Sequence, residues 1–212
     1  MRTESGQPLN LTVSSSLDAA LHEGWEAWDA AARQAGPDRV SAWLAHRLDW
    51  PALRTEVLET VHAFLSTDDE EERAMLRAEL AEIAESRDDF LADTLWEGVL
   101  AAGLTLDDPD LIFEATGHLA ALAEAQGDLL AAAEHYIDFL NWRRQDEHTS
   151  DVEAVETAFD EIIRLARLDG DQRAAALFEF RQAAFTRLAE VDEDRAMVGD
   201  WERDPTPYRS WA

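Results

Sequence analysis

The stretch LAALAEAQGDLLAAAEHYIDF, from Leu119 to Phe139, decides the fold. Leu119 and Leu122 continue the series Leu111, Ile112 and Ala115 at the three-to-four-residue spacing of one helix face. Gly127-Asp128 interrupts that pattern, and Leu130, Ala133, Ile137 and Leu140 resume it. Glycine takes the left-handed conformation that ends a helix, and an aspartate side chain accepts hydrogen bonds from the first free amides of the next. Two helices joined by so short a turn run antiparallel, and the alanines between them permit close approach. The stretch therefore predicts a helical hairpin.

A second segment, Ile162 to Phe185, has the same plan around Gly170-Asp171, 43 residues after Gly127-Asp128. Helical stripes also run through the rest of the chain. Leu17, Leu21, Trp25, Trp28 and Ala32 form the first, with Ser15 or Ser16 as its cap, and Gly36-Pro37 closes it. Val40, Trp43, Leu44 and Leu48 make the second, and Leu53 to Leu65 the third. After the Ser66-Thr67-Asp68 turn the acids Asp69 to Glu72 sit where the helix dipole favours them, and Met75, Leu76, Leu80 and Ile83 are the expected buried face. Phe90 to Val99 carry the fifth stripe, and Asp107-Asp108-Pro109 opens the helix that leads into the hairpin. Thr149-Ser150 caps a helix with Val155, Phe159 and Ile162, and Ala174, Leu177, Phe178, Phe185 and Leu188 line the last. No window alternates with the period of a strand. The fold class predicted is all-α: about nine antiparallel helices in consecutive hairpins. The expected organisation is an arm over 1–16, a helical domain over 17–190 with a sub-boundary near 66–72 and a repeat-like part over 108–190, and an acidic tail over 191–212 carrying proline and tryptophan.

Leu119-Ala120, Gly127-Asp128-Leu129, Ala132 and Tyr136 together resemble a tetratricopeptide repeat. That family places a leucine and a small residue in its first helix, a glycine turn, then an alanine and an aromatic in its second. Departures are Thr116 and Ala123 at positions of large side chains, Phe139 at an alanine position and Arg144 at the closing proline. The second copy has Glu179 in the aromatic's place, and its interval exceeds the family's. The resemblance implies stacked hairpins whose first helices line a concave groove. An irregular helical bundle is the alternative architecture.

Composition excludes much chemistry. The chain has 212 residues, no cysteine and no lysine: all 18 bases are arginine. Thiolate metal sites, cysteine nucleophiles, lysine Schiff bases and Walker phosphate loops are therefore absent. Lysine-free usage points to a GC-rich prokaryotic source, and the lack of cysteine to the cytoplasm. The net charge is −28, which opposes binding to nucleic-acid backbones and anionic membranes. No apolar run is long enough to span a bilayer. No Gly-x-Ser-x-Gly elbow occurs. Glu59 and His62 form one Glu-x-x-His step where a di-iron bundle needs two, and Glu114 with His118 reads as a helix-face pair. No catalytic, cofactor or metal residue is assigned.

The candidate partner-binding residues are Asp160, Arg164 and Arg167 with Glu124, which the resemblance turns into the groove, and Trp201, Tyr208 and Trp211 in the tail. Arginines there could fork onto a peptide carboxylate. The competing assignment pairs Arg164 with Asp160 one turn earlier. Trp25, Trp28, Trp43 and Trp96 fall on apolar stripes and are expected in the core, whereas the tail tryptophans either fold back or serve a partner or a second copy of the chain. The function expected is a protein–protein interaction module or adaptor. The alternatives are an acidic regulator or inhibitor that covers a basic surface, with imitation of nucleic acid as one form of it, and an enzyme without a recognisable motif.

Overall fold

Each helix start leaves amide groups without a partner inside the helix, and at five starts among the described residues an aspartate side chain accepts from them. Asp69 Oδ1 accepts from the Glu71 and Glu72 amides at 3.0 and 3.2 Å. Asp88 accepts from Leu91 at 3.0 Å, Asp108 from Asp110 and Leu111, Asp128 from Ala131, and Asp171 from Arg173 and Ala174. Before three of these aspartates the preceding helix closes on a left-handed residue: Gly127 at φ 83°, Gly170 at φ 86°, and Asp107 at φ 55°. The amide beyond that residue returns to the helix, Asp128 to the Ala123 carbonyl at 3.0 Å and Asp171 to that of Ala166 at 2.9 Å.

The computed structural model describes residues 11–50, 55–145 and 152–189. Within them lie ten helices and no strand: α1 (Leu11–Glu23), α2 (Trp25–Ala35), α3 (Pro37–Arg47), α4 (Thr55–Ser66), α5 (Glu70–Glu85), α6 (Asp89–Leu106), α7 (Pro109–Ala125), α8 (Leu129–Gln145), α9 (Val152–Asp169) and α10 (Gln172–Ala189). The tenth arises where a single first helix was expected. Gly24, at φ 105°, divides it into α1 and α2. The expected arm is also shorter: α1 begins at Leu11 rather than after Ser16, because serine is a middling helix former that does not by itself stop a helix. Among the described residues no helix is long and apolar enough to cross a membrane.

The chain forms two compact units, residues 1–111 and 112–212. The Ser66–Glu72 turn falls inside the first. In the first unit Trp28 packs against Trp43 and Phe64, with ring centroids 6.1 and 6.3 Å away. Trp43 donates its indole N–H to Asp18 at 2.9 Å. Arg47 joins Asp18 of α1 to Asp88, the cap of α6. Trp96, fully buried, donates to Glu85 across the α5–α6 hairpin at 2.6 Å.

α5 departs from its expected face. Met75 is exposed and Leu76 and Ile83 only half-buried, while Arg73 and Arg77 are buried with Leu80. Arg73 pairs with Asp29 of α2 and donates to the Phe64 carbonyl. Arg77 lies flat on Trp25, its guanidinium carbon 3.6 Å from the ring centroid, and donates to the Gly98 carbonyl of α6. Burial pushes the Arg77 guanidinium down to about 10, opposed by Glu70. A planar cation on an aromatic face keeps part of its stabilisation out of water, as an ammonium does less well.

Gly98 is where α6 admits this stack. A Cβ there would fall inside van der Waals contact of the Trp25 indole and 2.9 Å from Arg77 Cδ. Gly98→Ala gains roughly 1 kcal/mol in helix propensity. Overpacking of about 1–3 kcal/mol outweighs it. The expected result is a melting temperature lowered by several degrees in a calorimetric scan; an unchanged or raised value would show that the Trp25–Arg77 stack does not constrain α6.

Candidate functional site

The second unit carries the residues that sequence singled out, and α9 holds most of them. Val155, Phe159, Ile162 and Ala166 turn inward and fix its rotation. Their burial sends Asp160, Arg164 and Arg167 to the flanks, but not to one shared surface.

Arg164 faces α7. Its Nη1 and Nη2 donate to the two carboxylate oxygens of Glu124 at 2.9 and 2.6 Å, and its Nε donates to Glu161 at 2.8 Å. The expected pairing with Asp160 is thus replaced by Glu161, three residues earlier, and by Glu124 across the hairpins. These hydrogen bonds hold the Arg164 guanidinium above its ordinary value, and the Arg164 hydrogen bond holds Glu124 below the usual carboxylate range. The fork that might have gripped a peptide carboxylate already grips one.

Asp160 and Arg167 face α10. Asp160 accepts from the Gln182 amide at 2.7 Å, and Arg167 pairs with Glu179. Glu156 accepts from the Thr186 hydroxyl at 3.0 Å. The three pairs descend the two helices as an antiparallel ladder. Beside it a depression of about 500 Å³ is lined by Glu179, Gln182, Ala183, Thr186 and Arg187.

α10 has a second apolar face that sequence reading placed wrongly. Ala174, Phe178 and Phe185 are buried as expected, but Leu177 is 47% exposed. Phe180 is 69% exposed. Leu177, Phe180 and Ala184 follow one another at helical spacing with Ala176 and Ala183 beside them. Arg173 and Arg187, both exposed, stand at the two ends of this face. A pattern with large apolar residues on two sides of one helix was the available signal.

His62, in the first unit, is exposed, with its Nε2 3.6 Å from Asp38. Trp201, Tyr208 and Trp211 lie outside the described residues. Comparisons with family models, with curated proteins and with solved structures find no match.

Tyr136 reports on the Arg164 node. It is 9% exposed on α8. Burial pushes its phenol up to about 12, Glu161 and Glu124 add to this and Arg164 opposes it. The folded state therefore holds the phenolic proton more tightly than the unfolded chain. Its contribution to stability is fully present below about pH 10. It is lost as pH rises through the folded value, about 12. The chain has two tyrosines, so a Tyr208→Phe variant isolates the signal. Ultraviolet titration should place its midpoint near 12. A midpoint at about 10 with helical circular dichroism intact would show that Tyr136 is not buried beside these carboxylates.

Proposed function

We propose that the second unit is a protein–protein interaction module, tetratricopeptide-like in its stacking, that docks a partner on the outward face of α10. One observation carries this: α10, the last helix among the described residues, has Phe180 69% and Leu177 47% exposed between two arginines. An array of hairpins ordinarily closes with a polar outer face, whereas α10, the last helix among the described residues, turns an apolar face outward. Covering Leu177 and Phe180 would contribute about 1.5–3 kcal/mol each. α10 bears three arginines against one glutamate in a strongly acidic chain. The occupant that matches is an acidic protein segment with large apolar side chains.

Tetratricopeptide-like stacking is supported by the Gly-Asp turns and by the Glu124–Arg164 bridge, which joins α7 to α9, the first helices of consecutive hairpins. The groove reading moves accordingly. Arg164, Arg167, Asp160 and Glu124 organise the hairpins, and the contact with a partner passes to Phe180 and Leu177. The absence of cysteine and lysine fits a cytoplasmic setting in a prokaryote, and the role is binding rather than catalysis.

The acidic-regulator reading keeps one observation in its favour, the exposed Glu71, Glu72, Glu79 and Glu82 along α5. Affinity capture from native lysate, with the intact chain and with a Leu177→Asp, Phe180→Asp variant of unchanged helical circular dichroism, separates the two. Under the interaction-module reading, captured proteins disappear with the variant and persist in about 1 M salt, where the screening length is only ~3 Å. Capture that survives the variant but vanishes in high salt would sink the module reading and favour the acidic regulator.

A further inference from the structure

The outward face of α10 has more order than a patch of apolar residues. Arg173, Leu177, Phe180, Ala184 and Arg187 follow one another at intervals of four, three, four and three residues. That average of about 3.5 residues is the spacing by which one helix packs along another. The seam is apolar in its middle and cationic at its ends, and Arg173, Leu177, Phe180 and Arg187 are all exposed.

A helix laid along such a seam inserts side chains into holes, each bounded by four residues at i, i+3, i+4 and i+7. α10 offers two. Arg173, Ala176, Leu177 and Phe180 bound the first, and Phe180, Ala183, Ala184 and Arg187 the second. Alanine forms one wall of the first hole and two walls of the second, and Phe180 stands as the ridge between them. Ala183 and Arg187 also line the depression of about 500 Å³ beside the α9 ladder. The second hole therefore opens sideways and has room for an aromatic group. The two holes repeat after seven residues, roughly 10 Å along the axis.

Backbone chemistry and charge choose the occupant. An extended segment gains nothing here from its main chain, because the groups of α10 pair within the helix and the described residues contain no strand to join. A helix satisfies its own backbone and presents side chains at the matching interval. A second copy laid along this seam, parallel or antiparallel, would place arginine on arginine at both ends. A carboxylate answers that charge instead. Arg187 donates its Nε to the Ala183 carbonyl at 2.9 Å, which holds its guanidinium against the end of the seam. The net charge of −28 does not prevent the encounter. At physiological salt its repulsion is screened within about 8 Å, and the arginines act at contact.

We propose that the partner of this face is an acidic amphipathic α-helix that sets two large apolar side chains, seven residues apart, into the two holes. It places a small residue opposite Phe180 and brings carboxylates fourteen residues apart onto Arg173 and Arg187. This rests on the docking role assigned to that face above and adds the partner's conformation and register. Apolar contact supplies the affinity, while the exposed arginines fix the register and reject a basic helix.

The probe is a synthetic peptide of about eighteen residues, long enough to follow the whole seam, held helical by a lactam bridge on its outer side. It carries leucine and phenylalanine seven residues apart, alanine midway between them and glutamates fourteen residues apart at the ends. Fluorescence anisotropy with the full chain should show saturable binding that Leu177→Asp with Phe180→Asp removes. Ala183→Leu adds apolar surface but fills the second hole. It should weaken binding about tenfold, the cost of crowding a packed contact, with helical circular dichroism unchanged. Arg173→Glu with Arg187→Glu should weaken it about fivefold and shift the preference to a peptide with lysines at its ends. Binding that Ala183→Leu leaves unchanged or tightens would overturn the proposal, since a featureless apolar face gains from added surface. Equal binding of a scrambled peptide, or no binding of the designed one, would overturn it too. A dimer of the unaltered chain in sedimentation, dissociated by Phe180→Asp, would overturn it in favour of a second copy. Capture from lysate that depends on Leu177 and Phe180 is read separately, so failure of the helical partner and failure of the docking role are distinct results.

Discussion

A helix that follows another across two residues must end one hydrogen-bond ladder and begin the next with no intervening chain to help. In this protein the solution is a left-handed residue followed by an aspartate. It recurs at Asp107-Asp108, Gly127-Asp128 and Gly170-Asp171. The aspartate serves twice, through its amide to the helix behind and its carboxylate to the helix ahead. At Gly127-Asp128 and Gly170-Asp171 both ladders share one residue, which limits the angle between the two helices and turns the second back along the first. Asp88, Asp108 and Asp128 stand twenty residues apart. That interval sets helix length, and helix length decides which side chains meet across each hairpin.

Arginine is what ties those helices laterally. A chain with 46 acids and 18 arginines has more carboxylates than cations to pair with them, and several guanidiniums serve two carboxylates at once. Arg47 serves Asp18 and Asp88, Arg73 serves Asp29 and Glu70, and Arg164 serves Glu124 and Glu161. A planar fork with five donors supports such sharing, where a single ammonium would not. The same planarity lets Arg77 enter the core on Trp25 while its charge is opposed by Glu70 only 3.6 Å away. Removal of one partner from such a site leaves a buried charge uncompensated, which costs more than the pair contributes when intact.

These two devices were unequally visible in sequence. Gly127-Asp128 and Gly170-Asp171 were legible because the chemistry of the turn is local: two adjacent residues suffice to specify it. The all-helical class followed from apolar spacing. The buried face of α5 was not legible, since periodicity counts apolar residues and therefore preferred Met75 to Arg77. Only the distant Trp25 and Gly98 make a buried guanidinium tolerable, and they lie more than twenty residues away on either side. Gly24 was missed as a break for the opposite reason: the apolar stripe runs on across it from Leu21 to Trp25, so the pattern gave no sign of the interruption. Arg164 was singled out either for a partner or for Asp160, yet the carboxylate it forks onto, Glu124, lies 40 residues earlier, beyond any rule based on one helix face.

α10, the last helix among the described residues, carries large apolar side chains on two sides. An interior helix with two apolar faces has a neighbour for each. On α10, Phe178 and Phe185 face inward while Phe180 and Leu177 are exposed on the other side. Without a cover, such a face leaves apolar area in water, and charge repulsion alone would have to keep the molecules apart. At physiological salt that repulsion fades beyond about 8 Å, too short a range to prevent contact once apolar surfaces are near. The arginines at the two ends of the face act at contact distance instead. Like charges at the two ends would oppose a matching copy laid antiparallel, and a guanidinium pairs with a carboxylate. Net acidity and the arginines of α10 therefore act over different ranges: the repulsion of the whole chain is screened within a Debye length, whereas each guanidinium acts on what touches it.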